Sequence, residues 1–221
     1  MVFRSDQMEN MTPAERRRIR TRHTIALTAL RLFLENGYDE TTVEDIATCA
    51  DISHRTFFRY FSSKDDVLFD DREQLLLQLQ ALFDQRPVEE PLVLAVRASV
   101  LGLAAIFVEQ REVMIMRLKL MDSTGRNLLV QRQWEETLAA GVAGRMGVCR
   151  EIDPRPDLVA AVTVAVLRVA LSKWARAGGD GDLVADVSQS FDSLGTVWSH
   201  KGDGSSIPDE AVSDFFVLGT D

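Results

Sequence analysis

The chain has 221 residues, 46% of them apolar, enough to bury a sizeable core in one domain or two small ones. Its net charge of −9 argues against non-specific binding of polyanions by the molecule as a whole. Two isolated cysteines, Cys49 and Cys149, exclude a disulfide framework or a zinc site, and His23, His54 and His200 show no ligand spacing, so no metal or cofactor is expected.

The charge is unevenly placed. Residues 1–64 hold 10 basic and 9 acidic side chains and residues 65–221 hold 15 and 25, which describes a near-neutral head on an acidic body. The opening stretch MVFRSDQMENMTPAERRRIR has no apolar core of signal-peptide length. The most apolar run, Leu158 to Leu167, stops at Arg168, short of the roughly 20 residues that span a bilayer. A cytoplasmic protein with no membrane partner is expected, with residues 1–12 a disordered lead.

From Pro13 to Asn36, Ile25, Ala26, Ala29, Leu30, Phe33 and Leu34 recur at helical spacing, and Gly37 is placed to end the helix in a left-handed cap. Arg16, Arg17, Arg18, Arg20 and Arg22 lead into it. Thr42 is the N-cap of a second, short helix with Asp45 three residues on, and Ser53 is the N-cap of a third that runs to Phe61. Two short helices joined by a tight turn after a longer one form a helix-turn-helix candidate. In the third helix Ile52, Phe57 and Phe61 point toward the other two, Ser53, His54, Arg55, Thr56 and Arg59 lie on the opposite side, and Phe58 and Tyr60 sit at the border. An ordinary amphipathic helix with a solvated face is the alternative for this segment alone.

Beyond Lys64 the pattern stays helical. Leu68, Leu75, Leu79, Leu82 and Phe83 mark a fourth helix that stops near Pro87, and Pro91 opens a fifth whose apolar face is Leu94, Leu101, Ala105 and Val108. EVMIMRLKLM follows, with methionines pliable enough to line an adaptable cavity or to fill a core. A seventh helix carries Trp134, Leu138 and Val142. Its Gly141, Gly144 and Gly147 follow no strand and form no nucleotide fingerprint. Pro154 and Pro156 precede a helix that is apolar nearly all round, and the last helix, Leu183 to Ser199, carries apolar residues at three- and four-residue steps. A soft stripe of Phe107, Met114, Met116, Met121, Trp134 and Trp174, with the cations Arg117 and Lys119 among them, is the expected site for a small apolar effector whose anionic headgroup pairs with one of the two. Val166, Val184, Val187, Phe191, Leu194 and Trp198 are the expected two-fold dimer contacts.

The stretch TVEDIATCADISHRTFFRYFSSKDDVLF, Thr42 to Phe69, resembles the DNA-binding domain of TetR-family transcriptional regulators, and the likeness covers about residues 13–69. Arg55 stands where many relatives carry Gly, and Asp51 replaces the Gly common in the turn. The resemblance implies an all-α chain: an N-terminal three-helix DNA-binding domain with a helix-turn-helix (13–64), a C-terminal helical effector-binding and dimerisation bundle (65–201), and a linker and tail (202–221). It implies that Thr42, Tyr60 and Lys64 hold phosphates of double-stranded operator DNA, with Ser53 adding a hydroxyl. His54, Arg55, Thr56 and Phe58 would face the major groove, with Arg59 reaching bases or backbone. The basic run would neutralise phosphates or enter the minor groove. The body resembles the mycofactocin-type branch, on the wording RLKLMDS and WEETLAAGVAGRMG, which implies a homodimeric repressor whose effector is a long-chain acyl-CoA. A helical interaction module without a DNA role is the alternative. An enzyme is less favoured, because no nucleophile with its base, metal set or phosphate loop can be assembled, leaving no catalytic residues to name.

Overall fold

The computed structural model describes residues 11–70, 72–124 and 127–199, with the side chains of 123, 124, 127–129 and 197–199 outside that description. The side chain of Trp198, the proposed tail and most of the expected N-terminal lead therefore lie outside that description. Within them the chain is ten helices and no strand: α1 (Pro13–Asn36), α2 (Val43–Cys49), α3 (His54–Tyr60), α4 (Lys64–Leu68), α5 (Arg72–Asp84), α6 (Leu92–Glu109), α7 (Arg111–Thr124), α8 (Asn127–Met146), α9 (Arg155–Arg176) and α10 (Leu183–Ser199).

The chain divides into two compact units, one of residues 1–77 with 109–130, the other of residues 78–108 with 131–221. In the first, α1 starts at a capping box between Thr12 and Glu15 with Pro13 at its first position. The arginine run lies inside its first turns, not ahead of it. Ile25, Ala26, Ala29, Leu30 and Phe33 are buried and join Ile46, Phe57, Phe61, Val67 and Leu68 in one core. Leu34, one position beyond that stripe, is exposed. Gly37 has the positive φ expected of it, 94°, but with ψ at 149° the chain leaves the helix extended rather than left-handed helical. α7 packs on α1 and adds Met116 and Leu120 to the core.

The expected fourth helix is two helices. Ser63 caps α4, whose Phe69 N–H closes it on Asp65 O at 3.0 Å, and α5 starts afresh at Arg72. The break is occupied by Asp70, which is held by Arg22 from α1.

In the second unit α6 buries Ala95, Val96, Ser99, Val100, Leu103, Ala104 and Phe107. The face read from the sequence is the other one: Leu94 and Leu101 are half-buried and Ala105 and Val108 exposed. A helix apolar on every side carries no periodicity by which to choose its buried face. α6 and the full 22-residue α9 are each long and apolar enough by length and composition to cross a bilayer, which the shorter run read from the sequence was not. In both, one face is buried within the unit. Trp134, Leu138 and Val142 of α8 are buried, as are Ala160, Val164, Leu167, Ala170 and Trp174 of α9. α9 and α10 pack along each other. Arg97 of α6 grips α10 through Asp192 Oδ1 and Ser188 Oγ, both at 2.6 Å. Gly102 and Gly141 admit the end of α5: a Cβ on either would lie 3.0 Å from Leu82 or 3.2 Å from Phe83.

Candidate nucleic-acid interface

The helix-turn-helix is set by three local devices. At the start of α2, Thr42 Oγ1 donates to Asp45 Oδ2 at 2.6 Å and accepts the Asp45 N–H at 3.1 Å, and Asp45 in turn accepts the Thr42 N–H at 2.8 Å. These bonds, the one from the Thr42 hydroxyl foremost, hold the Asp45 carboxyl below the usual aspartate range. In the turn Asp51 takes φ +52°, a left-handed conformation that glycine, and less often aspartate or asparagine, adopts. There the Ile52 N–H returns to Ala47 O at 2.9 Å and the Asp51 N–H to Thr48 O at 3.2 Å, closing the carbonyl end of α2. At the start of α3, Ser53 Oγ accepts the Thr56 N–H at 3.1 Å and pairs with the Thr56 hydroxyl at 2.8 Å.

α3 divides its rings by burial. Phe57 is buried in the core, Phe61 follows it at the C-cap, and Ile52 packs partly against them. Ser53, His54, Arg55 and Arg59 are exposed, and Thr56 and Tyr60 half-buried. Phe58 is 47% exposed, with its ring edge-on to His54 at 4.8 Å and to Phe57 at 5.4 Å. Arg59 lies over the Tyr60 ring at 5.1 Å. No carboxylate belongs to α3, so its outer surface offers two guanidinium groups, an imidazole, hydroxyls and one apolar ring. That set matches what base edges, thymine methyls and phosphates present in a major groove.

Two cations expected at phosphates are engaged within the protein. Lys64 Nζ donates to Tyr38 O and Thr41 O, each at 2.8 Å, and lies 4.7 Å from the Tyr38 ring centroid, tying α4 to the loop that carries Thr42. Arg22 turns inward to Asp70 and to the end of α3. Neither role has a signal in the sequence, because each partner is a main-chain carbonyl or a residue more than twenty positions away.

The expected effector residues fall in both units. Met114, Met116, Arg117 and Met121 ride on α7 in the first, where Met116 belongs to the core and Arg117, 4% exposed, lines a cavity of about 310 Å³ with His23, Ala26, Asp70 and Arg111. Phe107 and Trp134 meet edge-to-face at 6.3 Å in the second, which also holds the fully buried Trp174. Trp174 Nε1 and Gln78 Oε1 are buried without a hydrogen-bond partner among the described residues. Of the expected dimer contacts, Val166 and Val187 are buried inside the unit, and Val184, Phe191 and Leu194 are half-buried. α9 also has an outer apolar stripe that periodicity did not single out: Leu158, Ala161, Ala165 and Val169, all exposed and three or four residues apart.

Residues 25–70 match the family of bacterial regulatory proteins named for tetR, and residues 90–199 match the MftR C-terminal domain. The mycofactocin biosynthesis transcriptional regulator MftR of Mycobacterium tuberculosis is 32% identical over 165 residues, spanning 73% of this chain and 83% of that protein. The HTH-type transcriptional regulator TcmR of Streptomyces glaucescens is 33% identical over 170 residues, 72% of this chain and 75% of that one. Among solved structures, FadR of Thermus thermophilus, a TetR-family transcriptional repressor in complex with lauroyl-CoA, superposes with a TM-score of 0.53 at 20% identity. The alignment covers 84% of this chain and 99% of that chain, and at such identity it shows a shared fold.

Proposed function

The chain belongs to the tetR family of bacterial regulatory proteins, a DNA-binding transcriptional regulator rather than an enzyme, and on that premise we propose a homodimeric repressor that leaves its operator when a fatty acyl-CoA binds. The observation that carries the DNA half is the division of α3: Phe57 and Phe61 fix it to the core while His54, Arg55, Phe58 and Arg59 stand out together. Arg55, near the helix N-terminus, forks onto a guanine. Phe58 lies against a thymine methyl, His54 and Thr56 face the groove beside it, and Thr42, Ser53 and Tyr60 hold the DNA backbone, with Lys64 bracing the loop that carries Thr42. The dimer is supported by the outer stripe of α9 and by Phe191 and Leu194 of α10, which are half-buried in the single chain. Two linked recognition helices then reach half-sites about 34 Å apart, or a multiple of that.

The effector half is supported by the second unit. Phe107, Trp134 and Trp174 supply an apolar interior. An orphaned buried donor and acceptor such as Trp174 Nε1 and Gln78 Oε1 carry penalties of about 1–3 kcal/mol each. A thioester carbonyl accepting from Trp174 Nε1 would remove one of them. The lauroyl-CoA complex of the Thermus protein, which shares the fold, is consistent with such a ligand. A ligand of this kind acts only through its differential affinity for the two bundle arrangements. The test titrates operator-bound protein with acyl-CoAs of increasing chain length beside free CoA. Release should grow with chain length, and Trp174→Phe should weaken the response about tenfold. Folded protein that ignores every chain length contradicts the reading.

A further inference from the structure

The geometry points to Arg22 as the positioning residue of the recognition helix, fixing its C-terminal end to the root of α5 instead of contacting DNA. By sequence Arg22 belongs to a basic run, yet its guanidinium turns inward. Its Nε donates to Asp70 Oδ1 at 2.6 Å, and Nη2 bridges the same carboxylate. Nη1 donates to the main-chain oxygen of Tyr60, the last residue of α3. Cζ lies 4.2 Å from the Phe61 ring centroid. The Arg22 side chain is 29% exposed and that of Asp70 only 5%, so the pair is largely withdrawn from solvent.

One planar fork thus serves three partners. The last carbonyls of a helix have no intrahelical donor, and they lie at the negative end of its dipole, so a cation there both completes a hydrogen bond and meets a favourable field. Lysine has no rigid fork with which to hold the carboxylate and the carbonyl at once. Asp70 stands in the break between α4 and α5, two residues before Arg72. The clamp therefore references the last turn of α3, which carries Arg59 and Tyr60, to the start of α5. A shift of Asp70 is felt at that turn.

The test measures operator binding against salt and amide hydrogen exchange for Arg22→Gln, Arg22→Lys, Asp70→Asn and the Arg22→Gln/Asp70→Asn pair. Arg22→Gln should lower operator affinity about tenfold with the slope of log Kd against log salt unchanged. The Tyr60 and Phe61 amides should exchange more than tenfold faster while those of Ile25 to Leu30 keep their protection. Asp70→Asn should act in the same direction, the double variant should bind no worse than Arg22→Gln, and Arg22→Lys should not restore binding. A slope shallower by about one unit would make Arg22 a phosphate contact and overturn the proposal. Protection lost evenly through α1 to α4 would reduce Arg22 to a general stabiliser, and full rescue by lysine would show that charge suffices without the fork. If Arg22→Gln does not fold, Arg22→Lys and Asp70→Asn carry the same comparison.

Discussion

Phe57 and Phe58 are adjacent in sequence and opposite in consequence. Phe57 is fully buried between Phe58 and Phe61, and truncation to alanine should remove about 3–5 kcal/mol of stability through lost burial and the cavity left behind. Phe58 is 47% exposed, so Phe58→Ala gives up about half a ring's burial and two edge contacts, roughly 1–2 kcal/mol. Its larger effect should fall on DNA, where losing an apolar contact to a thymine methyl weakens operator binding about tenfold, or ~1.4 kcal/mol. Tryptophan fluorescence is the wrong probe, because Trp134 and Trp174 belong to the second unit and no tryptophan lies in the first, which carries both tyrosines. Far-UV circular dichroism in urea, with amide exchange of α1 to α4, follows the head. Equal destabilisation by the two substitutions, or operator binding unchanged in Phe58→Ala, would refute the division of α3.

Lys64→Met should destabilise the head by about 2 kcal/mol, because two carbonyls at 2.8 Å lose a charged donor; urea denaturation of that unit measures it. The Asp45 carboxyl is depressed in the fold, so its contribution to the α2 cap is complete above the ordinary aspartate value of 3.8 and disappears as pH falls through the lower folded value. Asp45 amide shifts followed by NMR from pH 6 to pH 2 should show that transition, and Asp45→Asn should abolish it. Val169→Glu, at the C-terminal end of the outer stripe of α9, should turn a sedimenting dimer into monomer or unfolded chain, since an unpaired charge in an interface costs several kcal/mol; a dimer persisting at micromolar concentration would remove that surface from the interface.

What was legible in the sequence follows from how local its cause is. The caps Thr42 and Ser53 act over three residues, and the turn at Asp51 is bracketed by them, so α2, α3 and the outward set on α3 could be read directly. The burial of Phe57 and Phe61 followed from period alone. α6 offered no such contrast: its expected face was Leu94, Leu101, Ala105 and Val108, while Ala95, Ser99 and Leu103 took the interior of a helix apolar on every side. The break at Asp70 and the inward turn of Arg22 depend on a partner 48 residues distant, beyond any local pattern. Val166 and Val187 were read as partner-facing because α9 and α10 are apolar on more than one side, and the interior of the unit claimed them first.

The central claim is that α3 reads sequence, and Arg55 is where it is most exposed to test. A random DNA pool retained by the purified protein is sequenced, and the selection is repeated with Arg55→Ala. Wild-type protein should enrich a two-fold-symmetric motif, and Arg55→Ala should relax one position in each half-site, worth about 1–3 kcal/mol of discrimination, while leaving the rest of the motif intact. No enriched motif from folded wild-type protein, or a uniform loss of binding across all positions in Arg55→Ala, would contradict the account.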